Sequence, residues 1–138
     1  MEMSEAEFEQ IAGGEWDRIP ERFKEKLTNV ALIIEDDVDD EVRTLEGLDQ
    51  GESLLGLYRG IPLIERGSEY GVGGTLPDTI TLYRLPILEE ASEMDRAFRD
   101  AVRIVVRETI WHEVGHYFGL TEEELHQRES EASNSYNE

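Results

Sequence analysis

Apolar residues recur at helical spacing through the last third of the chain. Ala97, Phe98, Ala101, Val102, Val105, Ile110 and Val114 fall on one side of a 3.6-residue turn. The pattern predicts one long helix over Glu93 to Phe118, with a stripe wide enough to bury against a sheet and Gly119 as its stop. Three short segments carry a different pattern. Asn29–Glu35 (NVALIIE) is β-branched and nearly all apolar, which predicts a buried strand. Leu54–Tyr58 predicts a second strand, turned by Gly60–Pro62, and Thr79–Tyr83 (TITLY) alternates like a half-buried third. Near the start, Ser4 followed by Glu7 forms a capping box, so a helix should begin there, with Phe8 and Ile11 on its apolar side and Gly13 and Gly14 as its end. A second short helix is expected over Pro20–Leu27, with proline in its first turn. Thr121 and Glu124 form another capping box, opening a last short helix. Helices and short strands in this order predict an α+β fold, a small mixed sheet packed against the long helix. One domain should cover residues 1–126, followed by a polar tail over 127–138.

Composition narrows the function. The chain has 138 residues, room for one compact domain. Its 33 acids against 13 bases give a formal charge of -20, which repels phosphate backbones and anionic lipid. Nucleic acid and membrane surfaces are therefore poor partners, whereas cationic ligands and basic substrates suit it. There is no cysteine, so disulfides, thiolate metal sites and cysteine nucleophiles are excluded. The acidic N-terminus is not a signal peptide, and no segment has the length of a membrane span, so a cytoplasmic protein is expected. Two further motifs carry little. The acidic run Asp36–Asp40 lacks the glycine of a calcium loop. The glycines at 67, 71, 73 and 74 lead into a strand rather than a helix N-terminus, so they make a long connection rather than a phosphate cradle.

All three histidines lie between residues 112 and 126, and two belong to His112-Glu113-Val114-Gly115-His116, an HExxH motif on the long helix. Residues four apart stand one turn apart on the same helix face, so two imidazoles at this spacing can point at one ion. The metal expected is zinc, Zn2+. Glu113, beside the first ligand, can reach a metal-activated water without binding the metal. Zinc lowers the pKa of such a water from about 16 toward 7. Glu113 would then act as general base and return the proton to a leaving amine.

The motif extends to Gly119, where a positive φ can turn the chain back toward the metal. Glu122 is the expected third ligand; His126 and Glu123 are the alternatives. Glu108, one turn before His112, is a candidate partner for its second ring nitrogen. Tyr83, Tyr117 and Arg84 are candidates for stabilising an oxyanion, although packing or surface roles suit each. Trp111 reads as core or pocket wall. The strand Thr79–Tyr83, if it lies at a sheet edge, would offer a platform for an extended peptide.

With these residues in place, the sequence resembles the minimal zincins, a small bacterial family of zincin metallopeptidases. The resemblance runs from about Phe8 to about Gln127, on NVALIIED at 29–36, LLGLYRGIPLIERG at 54–67, LPDTITLYRLPI at 76–87 and TIWHEVGHYFGLTEEEL at 109–125. It implies a small mixed sheet carrying the HExxH helix. It also implies zinc at His112 and His116, Glu113 as base, and an acid at 122 where metzincins carry a third histidine. A peptide or protein substrate follows from the resemblance; its identity does not. The competing function is a zinc-binding regulatory or interaction domain with little or no turnover. A purely structural zinc site is disfavoured, because such sites are closed by four ligands, often cysteines.

Overall fold

The computed structural model describes residues 2–27, 29–60, 77–121 and 123–124. The elements, in chain order, are α1 (Glu5–Asp17), α2 (Glu21–Lys24) running into a 3-10 turn (Glu25–Leu27), β1 (Val30–Glu35), α3 (Asp40–Leu45), β2 (Gly56–Arg59), β3 (Asp78–Tyr83), α4 (Arg84–Ser92) and α5 (Phe98–Tyr117). The architecture is α+β, a three-stranded mixed sheet with helices packed on it.

The sheet order is β1-β3-β2. β3 lies in the centre, parallel to β1 and antiparallel to β2, with Leu32, Ile80 and Tyr58 in register across the three strands. β-strand side chains alternate between faces. On one face Ile80 and Leu82 join the main core with Val30, Leu32, Ile34 and Tyr58, under Phe8 and Ile11 of α1, Ile87 of α4 and Val102, Val106, Ile110 and Val114 of α5. On the other face Tyr83 packs with Val38 and Val42, flanked by Leu48, Leu54 and Leu57.

Several local expectations change. β3 is nearly buried along its whole length, not half-buried, because both its neighbours are strands; it cannot serve as an edge platform for a peptide. β1, expected to be buried, is an edge strand of intermediate exposure, with Ile33 37% exposed. β2 begins at Gly56 rather than Leu54. The helix α1 runs through Gly13 and Gly14 to Asp17. Each glycine costs it up to about 1 kcal/mol relative to alanine. The buried stripe of Phe8, Ile11, Ala12 and Glu15, with Glu15 also holding Arg107 of α5 at 2.9 Å, offsets that cost. Ser4 caps α1 as expected, its Oγ accepting the Glu7 N–H at 3.1 Å.

The predicted helix 93–118 is shorter, 98–117, and is preceded by a separate α4. Pro86 stands in the first turn of α4, where a missing N–H leaves no helical bond unmade. The acids of 36–40 have structural work: Asp36 pairs with Arg84 at 3.0 Å, Asp37 accepts from Val38 N and Ser53 Oγ, and Asp39 caps α3 through the Val42 N–H at 2.8 Å. No helix among the described residues is long and apolar enough to cross a membrane. The glycine-rich connection before Pro77 and the tail 127–138 lie outside the described residues.

Candidate metal centre

The site stands on the last turns of α5. Its buried stripe passes through Val102, Val105, Val106, Thr109, Ile110, Glu113, Val114 and Tyr117, so Glu113 lies on the sheet-facing side. His112 and His116 flank that stripe and are half-buried. Their rings meet edge to face, with centroids 5.1 Å apart and planes at 77°. One potential ligand atom from each of His112, Glu113 and His116 lies within 4.8 Å of the others. Two imidazoles at this separation suit a zinc ion, and the Glu113 carboxylate lies beside them.

His116 is oriented by the end of its own helix. Gly119 adopts a φ of +89°, just past the C-cap Phe118. The Gly119 N–H bonds to the His116 carbonyl at 2.9 Å and the Leu120 N–H to the Gly115 carbonyl at 3.0 Å. These are the two bonds of a Schellman motif, which needs a left-handed residue at this place. The reversal brings the Leu120 carbonyl to 3.1 Å from His116 Nδ1. A carbonyl oxygen only accepts, so Nδ1 is the donor in this contact, an arrangement that in the neutral ring puts the lone pair on Nε2.

Glu113 is only 7% exposed. Its Oε1 accepts the backbone N–H of Tyr58, on β2, at 2.9 Å. This is a contact that sequence inspection misses, since a backbone donor leaves no signature in residue type. Gly56 did leave one: a glycine inside a strand marks a close backbone approach. A Cβ there would lie 2.6 Å from Thr109 Cγ2, so β2 touches α5 one turn before Glu113.

Among the other candidates, Tyr83 sits in the cluster on the opposite face of the sheet. Its burial raises its pKa above the ordinary 10.0; the carboxylates of Glu35, Asp39 and Glu46 add to the rise and Arg59 opposes it. The Tyr117 hydroxyl donates to the Lys26 carbonyl at 2.7 Å, and Arg84 donates to Asp36 at 3.0 Å and to the Met3 carbonyl at 2.8 Å. These contacts occupy the Tyr117 hydroxyl and the Arg84 guanidinium, while Tyr83 faces the other cluster. Trp111 is core, edge-on to Phe23 with centroids 5.1 Å apart. Glu108 and Glu123 are exposed. Glu122 and His126 lie outside the described residues. Around position 122, Thr121 and Glu124 cap each other, Thr121 Oγ1 accepting the Glu124 N–H at 3.2 Å and Glu124 Oε1 accepting the Thr121 N–H at 3.3 Å.

Comparison with known proteins bears on this geometry. No curated protein matches the chain. A conserved hypothetical protein from Thermus thermophilus, of known structure, is 27% identical; the match covers 96% of this chain and 100% of that one, with a TM-score of 0.50. The family model described as zincin-like metallopeptidase matches residues 27–132, which take in the whole sheet, α5 and the Gly119 turn. The chain belongs to the zincin-like metallopeptidase family.

Proposed function

We propose that this protein hydrolyses peptide or amide bonds with one zinc ion, held by His112, His116 and Glu122, and with Glu113 as general base. The observation that carries the proposal is the convergence of two imidazoles and a buried carboxylate within 4.8 Å on one helix end. A bound zinc ion would supply Lewis acidity and a water that is nucleophilic near neutral pH. The protein supplies orientation. His116 presents Nε2 because Leu120 occupies Nδ1. Glu113, held through Oε1 by the Tyr58 N–H, takes a proton from the attacking water and passes it to the leaving amine. Burial of the carboxylate strengthens both contacts by excluding water from them.

Glu122 as third ligand is supported by the path of the chain. Leu120, two residues earlier, already runs back against His116, and the Thr121–Glu124 cap fixes the backbone on either side of residue 122. A carboxylate completes a two-histidine zinc site that retains an open position. The acidic surface, at a formal charge of -20, favours basic peptides as substrates.

Elemental analysis tests the metal: about one zinc per chain is expected in the wild type, lost in His116→Ala and weakened in Glu122→Ala. Loss in His126→Ala instead would move the third ligand to that residue. Glu113→Gln then separates enzyme from binding module. It should retain zinc and lose hydrolysis of a peptide pool by at least about 10²-fold, the scale of a general base. Equal rates in Glu113→Gln and wild type would leave a zinc-binding interaction domain.

A further inference from the structure

We propose that strand β2 is the positioning device for Glu113. Tyr58 orients the carboxylate through its backbone N–H, and Gly56 lets the strand come close enough to α5 for that bond to form. The inference rests on the reading of Glu113 as general base.

Strand pairing decides which way the Tyr58 N–H points. Backbone groups of an antiparallel strand face its partner at every second residue. The Tyr83 N–H bonds to the Leu55 carbonyl at 2.9 Å, and Leu57 and Arg59 stand opposite Thr81 and Thr79. Odd-numbered residues of this segment therefore face β3, and Gly56 and Tyr58 turn their backbone groups to the outer edge of the sheet. There Tyr58 N meets Glu113 Oε1 at 2.9 Å. A backbone donor in a sheet has no rotamer to change, so it fixes a carboxylate more firmly than a side chain on a flexible stem would.

Two features hold that N–H in place. The first is the contact at Gly56. An added Cβ would lie 2.6 Å from Thr109 Cγ2, 3.1 Å from the Thr81 carbonyl and 3.4 Å from Glu113 Cγ. The spacing between β2 and α5 is thus set by the absence of a side chain. The second is the anchoring of Tyr58 itself. Its hydroxyl donates to Asp78 Oδ2 at 2.7 Å, and Asp78 is a β3 residue only 2% exposed. Its ring stands edge-on to Tyr117, one helical turn after Glu113, with centroids 5.9 Å apart. Tyr58 cannot slide along the sheet edge without breaking both contacts.

The test uses the full chain, isotope-labelled and zinc-free, with the Tyr58 amide proton as reporter. Glu113→Gln replaces a charged acceptor by a neutral one and should move that resonance upfield. Gly56→Ala should do the same and speed its hydrogen exchange. Adding Thr109→Ser removes the methyl that the new Cβ meets but keeps the hydroxyl that bonds the Val105 carbonyl. The double variant should therefore recover the resonance. In zinc-loaded protein acting on a fluorogenic peptide pool, Gly56→Ala should lower kcat by about 10²-fold, the scale of a misplaced catalytic group, at unchanged KM and zinc content. The double variant should restore it. A Tyr58 amide indifferent to Glu113→Gln overturns the proposal. So does a double variant that regains thermal stability but neither the resonance nor kcat. Should the wild type cleave no peptide, the hydrolase reading fails, and the Tyr58 amide still decides whether β2 holds Glu113.

Discussion

On the proposed zinc site, Gly119 would link helix termination to metal affinity, and replacing it by alanine tests the link. Its φ of +89° is a conformation that a Cβ opposes by roughly 1–2 kcal/mol. Zinc-free Gly119→Ala should lose about that much stability, a fall of several degrees in Tm for a domain of this size. A second effect appears only with metal. If alanine shifts the backbone out of the left-handed region, the Leu120 carbonyl leaves its place 3.1 Å from His116 Nδ1. The ring is then free to rotate and to take the other tautomer. Loss of such an outer hydrogen bond typically costs 10–100-fold in metal affinity, about 1.4–2.8 kcal/mol. Zinc should therefore raise the Tm of the variant less than that of the wild type, by an amount that tracks the weaker Kd.

The assay is a competitive zinc titration against a chromophoric chelator, paired with thermal melts of the zinc-free proteins. Gly119→Asn is the control, since asparagine tolerates a left-handed backbone; it should retain most of both properties. A Gly119→Ala protein with lowered Tm and wild-type zinc affinity would refute the coupling, leaving the glycine as a helix stop alone.

Other changes test the fold. Gly13→Ala and Gly14→Ala should each stabilise the protein by up to about 1 kcal/mol in urea denaturation, because both lie inside α1 and an added Cβ meets nothing within 4 Å. Phe8→Ala should cost about 3–5 kcal/mol in the same assay, since its ring is wholly buried between α1 and α5. Tyr83 should make stability fall at alkaline pH. Its folded pKa is raised by burial, so the unfolded chain ionises first. The contribution is complete below the unfolded phenol pKa near 10 and is lost as pH rises through the higher folded value. Tyr83→Phe should flatten that part of the stability profile.

The elements legible in the sequence are those decided by neighbours in the chain. Ser4 caps α1, Thr121 and Glu124 close their reciprocal cap, and the stripe from Ala101 to Val114 makes α5. Each depends on groups within one or two helical turns. Where the sequence misled, tertiary contacts outweighed local preference. Gly13 and Gly14 read as a stop, but core burial of Phe8, Ile11 and Ala12 carries the helix past them. Thr79–Tyr83 is the central strand and its neighbours are the edges, because nothing in an alternating segment records how many strands will flank it. The helix over 84–92 is hard to read from sequence, since its first turn contains a proline and only Ile87, Leu88 and Ala91 of its residues are buried.

The same division runs through the site. His112, Glu113 and His116 are legible because an i, i+4 pair on one helix needs no fold to bring it together. What orients them comes from elsewhere by two routes. The Leu120 carbonyl arrives through a turn only three residues long, and Gly119 announces that turn in the sequence. The Tyr58 N–H arrives across 55 residues, by way of a sheet register that no local pattern encodes. On the proposed function, zinc affinity should therefore depend mainly on the short segment 112–122, whereas the placement of Glu113 should depend on the whole sheet. Destabilising β2 or β3 ought to impair hydrolysis before it releases the metal, and a variant that lost zinc first would show that the sheet holds the ligands rather than the base.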